Sequence, residues 1–302
     1  MDDQVMPRYP VYIPSKGRWD ASLTAQCFLR DGVPFRLVVE SQEANRYVGV
    51  FGPECVLVLP FRDAGSVVPA RNWIMDHAIA EGHGRHWQLD DNINKVRRRW
   101  RGKRIPCNAG VALRVVEDFT DRYENVAISG LAYTMFVPDG RKEPPFVLNA
   151  HVYSCCLFDN AMPFRWRGRY NEDTDICLQA LAGGWCTVLV QAFTVDKVRT
   201  MVMKGGNTDT LYHGDGRLRM ARSLERQWPG VVRVIRRWQR PQHYVQGWGK
   251  EFDTPLRLKP GARDETMPLV NEYGMRLVHV TDEAITPDLL ELVADRLDGD
   301  RG

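Results

Sequence analysis

Short apolar runs alternate with stretches of helical period along most of this chain. Tyr9-Pro10-Val11-Tyr12-Ile13 reads as a first strand, broken by the turn Pro14-Ser15-Lys16-Gly17-Arg18. Asp20 is placed to cap a helix running to about Arg30, and Gly32 closes it. Phe35 to Val39 and Cys55 to Leu59 read as the next two strands. Pro69-Ala70-Arg71-Asn72 opens a helix with Ile74, Ala78 and the Trp73/His77 pair at helical spacing; Gly82 and Gly84 end it. A nearly apolar strand then finishes in Asp90-Asp91. Asn108 is placed to cap a helix with Ala112, Val115, Val116 and Phe119 on one face. Val126 to Ile128 is a short strand, Pro138 to Pro145 a loop, and Val147 to Phe158 one strand with its alternation broken at Cys155-Cys156. A helix runs from near Asp173 to Gly183-Gly184, strand Thr187 to Val190 follows, and Leu218, Ala221, Leu224 and Trp228 share a face of a helix stopped by Pro229-Gly230.

Strands alternating with helices predict parallel crossovers and a doubly wound α/β sheet. Strands apolar at nearly every residue fit a sheet covered on both faces. Past residue 250 the texture changes, with four prolines and a final amphipathic stretch from Pro287 to Leu297. The expected organisation is therefore a main domain over 1–249 and an extension over 250–302.

Composition narrows the function class only a little. With 302 residues and 44% hydrophobic content the chain can bury a full core. It has no apolar run long enough to span a bilayer, so no membrane partner is expected. The start, Met1-Asp2-Asp3-Gln4, is acidic and polar, so no secretory signal is expected and a cytoplasmic location follows. Its seven cysteines form no Cys-x-x-Cys pair, which points to reduced core thiols and not to a zinc site or disulfide framework. A net charge of +3 does not by itself imply nucleic acid.

Candidate chemistry sits where strands end. Asp90-Asp91-Asn92 offers oxygen ligands at the C-terminal edge of a strand, suited to Mg2+ or Mn2+ over zinc. A double Asp is also common in surface turns. The second acidic motif, Asn171-Glu172-Asp173-Thr174-Asp175, opens a helix. Acids there complement the helix dipole, but a carboxylate at such a place can also take a proton from an attacking hydroxyl. Pro14, Ser15, Lys16 and Arg18 form a basic turn able to meet an anion. His213 could add a late metal ligand, and Lys204-Gly205-Gly206-Asn207 a Gly-hinged loop. Two runs interleave Arg with Trp: Arg97, Arg98, Arg99, Trp100 and Arg101, then Arg236, Arg237 and Trp238. Either run alone reads as a solvated basic face; together they suit phosphates and stacked bases.

The order Ala-Arg-Asn, helix, Asp-Asp, then Asn-Glu-Asp-x-Asp and a helix ending Gly-Gly resembles the glycosyltransferase A fold, over roughly Tyr9 to Val195. The resemblance implies a Rossmann-like α/β domain with a mostly parallel central sheet flanked by helices, plus a C-terminal extension. The finer pattern, Ile-Pro-Ser-Lys-Gly-Arg after the first strand and Leu-Asp-Asp-Asn-Ile at the acidic motif, is similar to the TET-associated glycosyltransferases. That family is encoded largely by phages and proposed to act on 5-hydroxymethylcytosine in DNA. The resemblance implies a nucleotide-sugar donor, UDP-linked, held by Pro14, Ser15, Lys16, Arg18, Arg71, Asn72 and Asp90. It implies Mn2+ or Mg2+ on Asp91, Asn92 and His213, and Asp173 as the base supported by Glu172. DNA would meet the two Arg/Trp runs. An acceptor of polysaccharide or lipid-linked type, a non-catalytic DNA-binding protein on a degenerate transferase fold, and a metal-dependent nuclease are the rival readings.

Overall fold

The computed structural model describes residues 5–62, 65–140, 143–198, 216–237 and 239–262. Contacts divide the chain into two compact units, 1–259 and 260–302. The architecture below is that of the first.

Its centre is a ten-stranded sheet among the described residues, in the order β3-β2-β1-β4-β9-β7-β10-β5-β6, with β8 pairing β10. The strands are β1 (Val11–Pro14), β2 (Arg36–Val39), β3 (Val56–Val58), β4 (Arg85–Leu89), β5 (Ile93–Trp100), β6 (Lys103–Cys107), β7 (Val126–Tyr133), β8 (Phe146–Leu148), β9 (Cys155–Asp159) and β10 (Cys186–Lys197). β1, β2, β3 and β4 run parallel, as do β7 and β10. β9 is antiparallel to both β4 and β7, and β5 and β8 are antiparallel to β10. Most strands therefore point one way. The expected mostly parallel α/β sheet is present, with β5, β8 and β9 reversed.

Helices flank it. α1 (Leu23–Arg30) and α4 (Ala109–Thr120) pack together and on β5; α3 (Val68–Ala80) lies on β1 and β4, and α5 (Glu172–Ala182) on β7 and β10. β7, apolar but for Ser129, is buried at all but its last residue, and β4 is buried at every residue although Arg85, His86 and Gln88 are polar, Arg85 bonding to Asp121 and Gln88 to Arg71 O. Met75 of α3 and Ile176 of α5 share one apolar cluster with Ile128, Phe158 and Trp166. Asn108 caps α4 as expected, its side chain accepting from the backbone N–H groups of Gly110 and Val111.

Several local expectations are corrected. Ser22, not Asp20, stands at the N-cap of α1, because the chain makes one more turn before the helix begins. A helix α2 (Ala44–Phe51) was not read from the sequence. The basic run after Asp91 is a β-hairpin, β5 to β6, turning at Arg101 and Gly102, which both have positive φ. That is the backbone a two-residue hairpin turn requires. The single strand expected over Val147 to Phe158 is two strands, β8 and β9, separated by a link in which Asn149 and Ser154 have positive φ. Strand β10 runs beyond Val190 to Lys197, through a bulge at which the Gln191 and Ala192 N–H groups turn to Pro145 O.

Helix α6 (Gly216–Gln227) is followed by a second hairpin, β11 (Val232–Arg237) and β12 (Arg240–Val245), and by the short α7 (Trp248–Glu251). Residues past the boundary expected at 250 stay with the first unit. Leu258 bridges Tyr123, and Asn125 Nδ2 donates to Pro255 O at 2.9 Å. The stretch from Pro287 to Leu297 lies outside the described residues.

One glycine is fixed by packing. A Cβ on Gly130 of β7 would sit 2.1 Å from Cys155 O and 2.7 Å from Val152 Cγ1. Gly130→Ala is expected to destabilise the protein by about 2–3 kcal/mol or more, since backbone must move to admit the methyl group. Chemical denaturation measures it; an unchanged midpoint would remove this account of the β7–β9 approach.

Candidate active site

The C-terminal ends of β1, β4, β7 and β10 and the starts of β5 and β9 meet at one edge of the sheet. Antiparallel pairing brings β5 and β9 there. Open α/β sheets bind their ligands at this edge.

Asp90 lies at its centre. Its Oδ1 accepts from Arg71 Nη2 at 2.8 Å, and its Oδ2 accepts from Lys197 Nζ at 2.6 Å and Ser154 Oγ at 2.7 Å. Burial opposes the Asp90 charge. Lys197 and Arg71 outweigh it and hold the carboxyl down to about 2. Lys197 also donates to Tyr133 OH at 2.8 Å, and burial notwithstanding, Asp90 and Tyr133 push its ammonium up. Arg71 is 7% exposed in its side chain and lies 4.5 Å over the Trp166 ring.

Asp91 faces the other way, toward β1 and α2. Ser15 Oγ donates to its Oδ2 at 2.7 Å, and Arg18 pairs with its Oδ1. Tyr47 of α2 closes this corner, bonded to Ser15 Oγ at 2.8 Å and accepting from Arg18 N–H at 3.1 Å. Burial pushes the Asp91 carboxyl up, with Arg18 and Ser15 pulling against it. Next to it, Asn92 Oδ1 is buried and has no hydrogen-bond partner among the described residues.

The second motif starts α5. Asn171 adopts a left-handed conformation there and ties the helix start to α6 through Nδ2 to Met220 O at 2.8 Å. Asp173 is 37% exposed in its side chain; its Oδ1 accepts from Thr174 N–H at 2.8 Å and its Oδ2 faces His151 Nε2 at 3.5 Å. His151 Nε2 and His243 Nε2 each lie 3.4 Å from Thr174 Oγ1. Burial disfavours the Asp173 charge, but His151 overrides it and the carboxyl is held below its usual range. Burial, then the adjacent Asp173 charge, raises Glu172 from 4.5 to about 7. Two neighbouring carboxyls are thereby pushed apart, the arrangement that separates acid and base roles.

The Glu172 shift fixes a sign. A carboxyl whose folded pKa exceeds its unfolded one loses stability as pH rises through the folded value. Glu172→Gln should therefore gain in melting temperature over wild type between ~pH 5 and ~pH 8. A difference that stays flat, or shrinks, over that window would show that Glu172 is not a proton holder.

The remaining sequence candidates divide. Pro14 ends β1 beside Val38, and Lys16 Nζ pairs with Glu40 at 2.5 Å. Asn72 is spent on the fold: its Nδ2 donates to Trp166 O at 2.8 Å and its Oδ1 accepts from Trp166 N–H at 2.9 Å. The first Arg run, read from the sequence as a DNA-binding face, follows Asp91 closely in the chain. Strand β5 instead carries it away from the edge, placing Trp100 roughly 23 Å along an extended strand from Ile93. Arg97 pairs with Asp196 at 2.7 Å, Arg99 donates to Glu143 O at 2.9 Å, and Arg98 and Arg101 lie over the Trp100 ring. Arg236 and Arg237 are exposed on β11. His213, Trp238 and the stretch 204–207 lie outside the described residues.

Lys197, Ser154, Tyr133, His151 and His243 were missed. Each comes from a segment distant in sequence, and none belongs to a local motif.

Paired acidic motifs facing each other across the strand ends of a largely parallel α/β sheet define a glycosyltransferase fold. The family model for TET-Associated Glycosyltransferase matches residues 9–206, and the chain belongs to that family. No curated protein matches it. Among the described residues no helix is long and apolar enough to cross a membrane.

Proposed function

We propose that this glycosyltransferase moves a sugar from a UDP-linked donor to the hydroxymethyl group of a modified pyrimidine, 5-hydroxymethylcytosine, in DNA. The observation that carries the proposal is the partly exposed Asp173, set beside the Asp90–Arg71–Lys197 cluster. A proton acceptor and an anion-holding cluster at one sheet edge are what sugar transfer to a hydroxyl needs.

The donor's nucleoside would lie along β1 and α2, against Ser15, Lys16 and Arg18. Its diphosphate would lie toward Arg71 and Lys197. Asp173 takes the proton of the acceptor hydroxyl as that oxygen bonds to the anomeric carbon. The bond from the anomeric carbon to the diphosphate oxygen breaks, and its electron pair leaves with UDP. The configuration inverts.

Among the described residues Asp90 and Asp91 offset part of the charge of Arg71, Lys197 and Arg18, so a diphosphate there gains from a further cation. The donor set fits a hard cation. Among the described residues no three His, Cys, Asp or Glu form a cage, but Mg2+ and Mn2+ are commonly held by one or two protein oxygens plus substrate phosphates. Asp91 and the unpartnered Asn92 Oδ1 would hold it, and when bound it supplies positive charge to the leaving diphosphate.

The test is mass spectrometry of nucleosides from hydroxymethylated DNA incubated with UDP-sugars and manganese. A hexose added to hydroxymethylcytosine supports the proposal. Donor turnover with a saccharide acceptor, and none with DNA, would move it to polysaccharide synthesis.

A further inference from the structure

Beside Asp173 the structure has an aromatic wall that the chemistry above does not use. Phe136, on the single turn after β7, is 58% exposed and its neighbour Met135 65%. The Phe136 ring stacks on Tyr133 at 6.0 Å and meets Tyr153 edge-on at 6.4 Å. Tyr153 contacts His151 at 4.8 Å, and His151 stacks on Trp248 of α7 at 5.7 Å with ring planes 7° apart. The wall thus runs continuously from an exposed edge to a cleft of about 380 Å³ lined by His151, His243, Tyr244 and Trp248.

Its placement is specific. Tyr133 reaches the donor side through Lys197, which holds Asp90, and His151 reaches the base side through Asp173. The link carrying His151 is fixed from two sides: Asn149 Nδ2 donates to Thr254 O at 2.9 Å, and the Val152 N–H meets Cys177 Sγ at 3.4 Å.

The far wall of the cleft belongs to a basic element. His243 lies on β12, on the same face as the buried Val245, and opposite Val234 of β11. The other residues of this hairpin include Arg233, Arg236 and Arg240, all exposed. Cation-bearing strands next to a row of rings form the pattern of single-stranded nucleic-acid sites: the charges follow phosphates, and the rings take base faces that a duplex keeps stacked.

We infer that this wall and cleft are the acceptor site, and that they take one unstacked pyrimidine nucleotide, with the β11–β12 hairpin on the adjoining phosphates. The inference rests on the DNA acceptor proposed above and goes further. The acceptor base is read in single-stranded DNA or, against the cost of unstacking it, out of the helix, and not within the major groove. A cleft of this size is near the small end of ligand pockets, which matches one base and its sugar but not a duplex. Neutral sugars also stack on aromatic rings; the exposed arginines favour a polyanion.

Fluorescence anisotropy on the full chain tests it, with single-stranded and duplex oligonucleotides of one sequence carrying no hydroxymethyl group. The single strand should bind at least about tenfold more tightly than the duplex. Phe136→Ala, an exposed position, should lose about tenfold on the single strand. Arg236→Glu with Arg240→Glu should weaken binding and flatten its salt dependence, because fewer counterions are released. Equal affinity for duplex and single strand, or no effect of Phe136→Ala, overturns the inference. A parallel transfer assay on hydroxymethylated DNA separates it from the reading beneath it. Equal transfer to both forms overturns the single-strand site and leaves the DNA acceptor standing. Single-strand binding without transfer to either form overturns the DNA acceptor and supports the binding platform. Binding of a neutral oligosaccharide and not of DNA overturns both.

Discussion

Asp173→Asn is expected to lower turnover by about a thousandfold while leaving UDP affinity within about twofold. The substitution keeps the shape of the side chain, and an amide oxygen can still accept from the Thr174 N–H that Asp173 binds at 2.8 Å. The start of α5 therefore stays in place. What is lost, on the proposed mechanism, is the site that receives the hydroxyl proton. Proton transfer belongs to the transition state, so the effect falls on kcat and not on donor binding. His151 loses its anionic neighbour at the same time. Glu172 stays next to the gap and loses the neighbouring charge that helped raise it. Single-turnover rates and UDP titrations on the two proteins decide the matter. A variant that loses UDP affinity and keeps its turnover would put Asp173 in the donor site. A product with retained anomeric configuration would withdraw the base role.

The two acidic motifs were legible because each is local: a strand that ends in acids, and a helix that begins with them. The capping Asn108 was legible for the same reason. What escaped was set by pairing between distant segments. Lys197 reaches Asp90 only because β10 continues through a bulge past the point where its apolar run stops. The split of β8 from β9 depends on left-handed backbone at Asn149 and Ser154, which carries Ser154 to Asp90 and His151 to Asp173. The Arg97 to Arg101 run misled because nearness in sequence was taken for nearness in space. An eight-residue strand leads it away from the edge, with Arg97 and Arg98 opposite Thr194 and Phe193 of β10. Asn72 misled differently. Its place after Arg71 suits a ligand, but both ends of its amide are used by the Trp166 backbone.

Asp91→Asn is expected to abolish the effect of Mn2+ on UDP binding, with affinity in manganese falling about a hundredfold toward the chelated wild type. Asparagine is the sharper choice than alanine here. Arg18 is 11% exposed in its side chain, and removing its partner outright would strand a nearly buried charge and destabilise the fold. An amide still accepts from Ser15, so the β1 corner is kept. The choice of Asp91 over Asp90 comes from counting neighbours by charge. Asp90 already faces two cations, Arg71 and Lys197, and a dication brought against it is repelled by both. Among the described residues Asp91 faces one, Arg18, and next to it in the chain is Asn92, whose Oδ1 has no partner there. Asp90→Asn should accordingly weaken UDP binding with and without manganese alike, by loosening Arg71 and Lys197. Calorimetric titration of UDP into both variants, in manganese and in chelator, reads the difference. If the manganese response survives in Asp91→Asn and disappears in Asp90→Asn, the two carboxylates exchange roles and the cation belongs beside Lys197.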